Sequence, residues 1–543
     1  MNRALCIAVS IAIFVPTTTP AATLTGEIRD EASGSLIAAR VYLRDSKGQW
    51  FFPKSADPAG NAVEYRKERT PTSAEMHTAL SAHPFTAELP AGKYTLTVEK
   101  GKEYLPHEEE ITIADLPVRI EVRLRRLVNM ADLGWFSGDT HVHRTMAELP
   151  TAMLADDLNV AFPLTYWVTK SDTPPSQGDK NQPAVEPKVI EVAPRHIIWP
   201  LNTEYEIFTV GPKRHTLGAV FGLGHKTVLA RGVPPVRPIA EQVHREGGLL
   251  DIDKHNWPWS MMLVPVMKPD LFELANNHHW RTQFAFRTFG EPIPAYMNLP
   301  TGPDGFDEKA WTEFGFQNYY ALLNCGFRMM PTAGTASGVH PVPLGWGRVY
   351  VRCRDGFSLE SWMRSLAEGR SFVTTGPLMQ VTVNGEPALP VYRQAVETAR
   401  YEFGVNVWSH YRPTRWEVLK DGKVVSGGRS GVAEKEGGQE PGSRFYLSPR
   451  TSGLAGIRVS SSTWIAVRCF ETLPDGRERF AHSAPIFIDV PGKPLLPKKA
   501  EADYLVSRVK AEIERNTGVL SEEALAEYRE ALAAYEAIAA KAE

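Results

Sequence analysis

The segment of this chain best suited to chemistry is Gly138-Asp139-Thr140-His141-Val142-His143. It follows an apolar, aromatic run, Leu133-Gly134-Trp135-Phe136, that reads as a strand. Successive side chains on a strand point to opposite faces, so two histidines two residues apart share a face. At a strand end, both imidazoles can reach one cation. Asp139, two residues before the first histidine, could orient a ligand or join the site. The competing reading is a pair of satisfied, half-buried histidines with no ligand.

These residues need a scaffold, and 543 residues are too many for one core, so about three domains are expected. A charged fraction of 23% and a net charge of −3, with no basic block, fit an ordinary soluble protein and give no reason to expect nucleic acid. Residues 1–22 read as a secretory signal. Arg3 is its charged start, Leu5 to Val15 its apolar run, and Thr19-Pro20-Ala21-Ala22 a small-residue cleavage region. That run is too short to span a bilayer, and no other segment is long and apolar enough. A secreted or periplasmic protein with no transmembrane anchor is expected. Cys6 lies inside the apolar run and is not read as a lipid anchor. Cys325, Cys353 and Cys469 do not make a disulfide framework and read as buried small hydrophobes.

Residues 23–127 alternate in period two, as in Ala39-Arg40-Val41-Tyr42-Leu43 and Tyr94-Thr95-Leu96-Thr97-Val98. With Leu89-Pro90-Ala91-Gly92-Lys93-Tyr94 at a turn, this part resembles a carboxypeptidase-regulatory-like (transthyretin-like) β-sandwich, a module that implies bracing or binding. Phe52 to Pro71 reads as an exposed insertion. From 128 to 377, strands alternate with helical stretches. Seven strand candidates are Trp135–His143, Val160–Val168, His196–Phe208, Thr216–Gly222, Gly248–His255, Leu271–Asn276 and Phe327–Thr335. Ser358 marks a helix start and Gly369 its stop. Residues 378–495 return to short strands and read as a second β-sandwich. Residues 496–543 read as a helical hairpin with Ser521 as an N-cap, either packed on the body or used for dimerisation.

Seven β/α units opening with Asp139-x-His141-x-His143 resemble the PHP superfamily (polymerase and histidinol phosphatase), which implies a distorted seven-stranded β/α barrel with a metal centre. Within it the likeness is to the CehA/McbA metallohydrolases, and Phe372-Val373-Thr374-Thr375-Gly376-Pro377 adds to it. Several motifs depart from that pattern. Thr165-Tyr166-Trp167 stands where the family has Thr-Asp-His. Gly334-Thr335-Ala336-Ser337-Gly338 stands where it has Gly-Ser-Asp-x-His. Asp251-Ile252-Asp253-Lys254-His255 stands where a strand ends in His-Pro. The Glu of the third motif survives in Thr203-Glu204-Tyr205-Glu206, followed by His215. A Glu-x-x-Asn phrase survives as Glu273-Leu274-Ala275-Asn276, followed by Asn277-His278-His279.

What the resemblance leaves as metal ligands is His141, His143, Glu204 and His278, with Asp139, Glu206, His215 and Asp253 as supporting or alternative ligands. Three nitrogen or oxygen donors and a water suffice for one catalytic zinc, and manganese is the other candidate. Lys254 and His255 are the candidates for stabilising charge on the substrate, although Lys254 could simply pair with Asp253. Glu206 could equally be a salt-bridge partner at a strand end. Trp257, Trp259 and Trp280 suit an aromatic pocket for a small molecule or glycan, or the packing of a core. Arg144 could bind an anion or pack on a loop. The resemblance implies hydrolysis of ester, carbamate or amide-like bonds. The alternative is a barrel that has lost catalysis and binds a glycan or peptide.

Overall fold

The computed structural model describes residues 21–177, 184–254, 257–259, 263–282, 284, 293–299, 307–429, 443–447 and 456–543. His255 and most of the expected signal lie outside these residues. Ala21 and Ala22 stand in the first strand.

Residues 21–124 form two facing sheets. The strands are β1 (Ala21–Asp30), β2 (Ala39–Asp45), β3 (Ala62–Thr70), β4 (Ser73–Leu80), β5 (Phe85–Pro90), β6 (Gly92–Glu99), β7 (His107–Ile113) and β8 (Val118–Leu124). One sheet runs β8-β1-β5, the other β3-β4-β2-β6-β7. The inward set of each alternating strand, including Leu24, Val41, Phe85, Leu96 and Val122, makes one buried cluster. Much of the segment expected to be an exposed insertion is β3, paired with β4. The sequence does not show it because β3 is charged on both faces, with Glu64, Arg66 and Glu68 on one and Lys67 and Arg69 on the other. Its Tyr65 is buried and reaches out of the sandwich: the hydroxyl donates to His340 O at 2.5 Å and accepts from Gly338 N at 2.8 Å.

The central strands are β9 (Trp135–Val142), β10 (Val160–Pro163), β11 (Tyr166–Lys170), β12 (His196–Ile198), β13 (Thr203–Val210), β14 (Lys213–Leu223), β15 (Leu249–Asp253), β16 (Leu271–Ala275) and β17 (Met330–Ala333). Two of the expected strands are each broken into a pair, β10/β11 and β12/β13. The lower halves pair with β9 in the order β12-β10-β9, and the upper halves open a second sheet, β11-β13-β14-β15-β16-β17. The loop after β17 returns to β9. Ala336 N donates to His141 O at 2.7 Å and His143 N to Ser337 O at 2.8 Å.

The first of these two sheets does not stop at residue 377. Beyond β9 it continues through β18 (Arg348–Arg352), β19 (Ser371–Thr374), then β22 (Glu478–Ser483), β21 (Thr463–Thr472) and β20 (Pro413–Lys420). A separate sheet carrying Leu378–Val383 and Phe403–Ser409 packs over it, and their shared core also takes in Trp135, Tyr350 and Phe372 from the central region.

Helices cover the outside. Helix α1 (Arg237–Arg245) has no cap of its own at Val236. Helix α2 (Glu308–Asn324) is capped by Asp307, and α3 (Leu359–Ala367) by Ser358, whose hydroxyl accepts from Ser361 N. The last two are α4 (Lys499–Asn516) and α5 (Glu522–Ala539). Lys499 N bonds Glu543 O, so the start of α4 meets the end of the chain. Glu527 on α5 accepts from Val236 N and Arg237 N at 2.7 and 2.8 Å, supplying the cap that α1 lacks. Among the described residues no helix is long and apolar enough to cross a membrane.

Candidate metal centre

Strand β9 is buried along its whole length. Its last turn of pleat brings the two histidines to one point. His141 Nε2 and His143 Nε2 are 3.2 Å apart. Glu204 arrives from β13, with Oε2 3.1 Å from His143 Nε2 and Oε1 3.8 Å from His141 Nε2. All three side chains are buried. Ligand atoms about 2.0–2.1 Å from a tetrahedral zinc stand roughly 3.3–3.4 Å from one another, so this spacing fits one ion.

Register explains what stands beside them. On β13, β14 and β15, Glu206 pairs with Ala219, and Ala219 with Asp253. Glu204 pairs with Phe221, and Phe221 with Asp251. Thus Glu204, Glu206 and Asp253 fall within 4.8 Å of one another. The Phe221 ring packs on His141 with centroids 4.5 Å apart. Asp251 turns the other way, to Thr332 at 2.6 Å and Thr140 at 3.2 Å, and burial pushes its pKa up to about 8.

Glu273, on β16, was not among the expected ligands. Its Oε1 is 3.1 Å from His141 Nδ1. A proton held on Nδ1 by this carboxyl leaves the Nε2 lone pair facing Glu204 and His143, the usual way a ligand histidine is oriented. Burial, then the neighbouring Asp253, drive the Glu273 carboxyl well above its ordinary range. Its carboxyl shares a side-chain hydrogen bond with that of Asp253.

Lys254 follows β15 with φ of 56°, a left-handed conformation. Its ammonium contacts Asp253 and lies 2.9 Å from Glu206 Oε1. Burial alone would lower its pKa, but Asp253, Glu206 and Glu204 outweigh that and hold it above the usual lysine range. Burial raises Glu206 to about 7, against the pull of Lys254.

Other expected residues stand elsewhere. Asp139 is taken up by His141 N, Thr335 N, Thr335 Oγ1 and Gly345 N, at 2.6–3.2 Å, so it ties β9 to the returning loop. His215 Nε2 bonds Asn516 Oδ1 on α4 at 2.6 Å. His278 packs on Trp311 and approaches His340. Trp257 carries Lys254 Nζ 4.6 Å above its ring. Trp259 is fully buried and donates to Tyr528 of α5. The Trp280 ring lies 5.9 Å from that of His340, and its Nε1 donates to Asn277 O. Arg144 stacks on Tyr65 at 3.6 Å and donates to Ser337 Oγ. Trp167, in place of a ligand triplet, sets its ring 6.0 Å from that of His143. His340, 3.3 Å from Arg69 Nη1 of the front sandwich, was missed because no local pattern marks it.

No family model matches this sequence, and no curated protein does. Among solved structures, a two-domain protein from Bacteroides vulgatus containing a predicted PHP-like metal-dependent phosphoesterase is similar at 8% identity and a TM-score of 0.30. The match covers 62% of this chain and 90% of that one. At that TM-score the likeness bears on neither fold nor chemistry.

Proposed function

We propose that this chain is a metal-dependent hydrolase built on a PHP-type barrel, with one zinc or manganese ion held by His141, His143 and Glu204. The observation that carries this is the convergence of three buried donors at 3.1–3.8 Å, with Glu273 behind His141. The ring from β9 through β17 and back supports the barrel reading, and the meeting ends of α4 and α5 support the hairpin. The N-terminal apolar run supports an extracytoplasmic location. Ester, carbamate or amide-like substrates come from the CehA/McbA resemblance.

An ion in this site would supply a nucleophilic water near neutral pH. The residues divide the remaining work. Glu273 holds the Nδ1 proton of His141 and so fixes its tautomer. Glu206, raised to about 7, is suited to take a proton at a carboxylate oxygen. The Lys254 ammonium, paired with Asp253 and Glu206, is the cation beside the centre that would meet negative charge on a substrate oxygen. Trp257 is half-buried and suits an apolar or ring-shaped group, whereas Trp280 is fully buried.

Elemental analysis of purified protein should find close to one metal ion per chain. A chelator should remove it and stop turnover of aryl esters or carbamates, and zinc or manganese should restore both. A metal-loaded protein inert to the whole panel would favour the second reading, a binder of glycan or peptide. A protein that takes up no metal would sink the hydrolase.

A further inference from the structure

Four carboxyl groups, from Glu204, Glu206, Asp253 and Glu273, are buried in one cluster with the histidine pair. The group formed by His141, His143 and Glu204 mixes nitrogen and oxygen donors. The adjoining group, Glu204, Glu206 and Asp253, offers oxygen alone. Such a set suits a hard divalent cation such as Mn²⁺ or Mg²⁺. The two groups share Glu204. Into the all-oxygen group the chain sends a side chain of its own, the Lys254 ammonium, 2.9 Å from Glu206 Oε1 and in contact with Asp253.

We infer that Lys254 is a built-in counter-cation that takes the place of a second metal ion and limits this centre to one. The inference rests on the one-metal reading of the His141, His143 and Glu204 site. Charge supports it. Glu204, Glu206 and Asp253 carry three negative charges, which one divalent ion and one ammonium balance. A second divalent ion beside the lysine would leave a buried excess of two positive charges, which a low-dielectric interior opposes strongly. Space supports it too, since the ammonium already sits between two carboxylates that a second ion would need. Lys254 also holds a backbone conformation that favours glycine, with φ of 56°.

Removing the lysine should therefore uncover the second site. Lys254→Gly vacates the space and suits φ of 56°. Lys254→Ala carries the same expectation should the glycine variant fold poorly. Lys254→Met keeps the bulk without the charge. Each full-length protein is stripped, refilled with Mn²⁺, dialysed and analysed for metal, with a melting curve to confirm folding. The expected counts are one ion for the parent, two for the Gly and Ala variants, and one for Met. The two ions in the Gly variant should give an exchange-coupled Mn²⁺ resonance signal, because Glu204 would bridge them. A folded Gly or Ala variant that stays at the parent count overturns the inference, and so does a parent that binds two. A parent that binds none while the Gly variant gains one would overturn the proposed function but support the role of Lys254.

Discussion

Gly334 occupies a position where any side chain would collide with the centre. A Cβ there would lie 2.0 Å from Glu273 Oε1 and 2.2 Å from His141 Cβ. Neither neighbour can yield easily, since both are buried and bonded to each other. Gly334→Ala should push Glu273 off the His141 ring and weaken zinc binding about 10–100-fold, the usual effect of losing such a supporting contact. Calorimetric titration of the stripped protein checks this, and an unchanged affinity would show that Glu273 does not hold the ring. At this scale the sequence was legible where spacing alone decides. His141 and His143 share a face because they are two apart on a strand, and Glu204 shares one with Glu206 for the same reason. The Glu273 contact spans 132 residues, and the Tyr65 contact to His340 spans 275, so neither follows from a local pattern. A pairing of Lys254 with Asp253 is one of the two readings its sequence neighbours allow, but its contact with Glu206 on β13 follows from no local pattern.

Helix α2 is held by two buried histidines that cannot easily take a proton, His482 of β22 and His279 of the segment after β16. His482 accepts from or donates to Tyr320 OH at 2.7 Å and bonds Ser483 O at 2.7 Å through Nδ1. His279 bonds Thr312 on the same helix at 3.1 Å. Burial lowers both pKa values to about 3. A histidine depressed in the fold binds its proton more tightly in the unfolded chain. Stability is therefore complete above the unfolded pKa of about 6.5 and is lost as pH falls toward 3. At pH 5 each should cost about 2 kcal/mol. Urea unfolding between pH 7 and 5 should show the loss, and the double variant His279→Gln/His482→Gln should lessen it, with buried His77 and His340 supplying the rest. An equal slope in parent and double variant would refute the assignment. Elements were mostly legible, as with the Ser358 and Ser521 caps, each of which accepts a backbone N–H three residues on. The breaks between β10 and β11 and between β12 and β13 were not anticipated, although Pro163 and Pro200 mark them. Proline cannot donate to a ladder, and the period-two pattern around each concealed that signal.

Across the molecule, the order of β, mixed, β and helical regions could be read from composition and periodicity. How they join could not, because joining depends on register between strands far apart in sequence. The tail shows this. Its apolar residues Leu505, Val509, Tyr528 and Tyr535 are buried in the same core as the central strands, and Glu527 caps α1. That apolar face is thus already used within one chain. The long sheet shows it more sharply. Strand β19 ends three residues before Pro377, and its outer neighbour is β22, with Phe372 opposite Ser483 and Thr374 opposite Ala481. A protein cut after Pro377 would keep its candidate metal ligands yet present an unprotected, apolar strand edge to solution. Such edges recruit one another. The fragment 21–377 should therefore aggregate when produced alone, and co-production of 378–543 should restore it to solution; a soluble, monomeric fragment on light scattering would contradict this. The composition change at 377 is thus a poor place to cut this chain, and an attempt to isolate its metal centre there would yield a sticky edge instead of an enzyme.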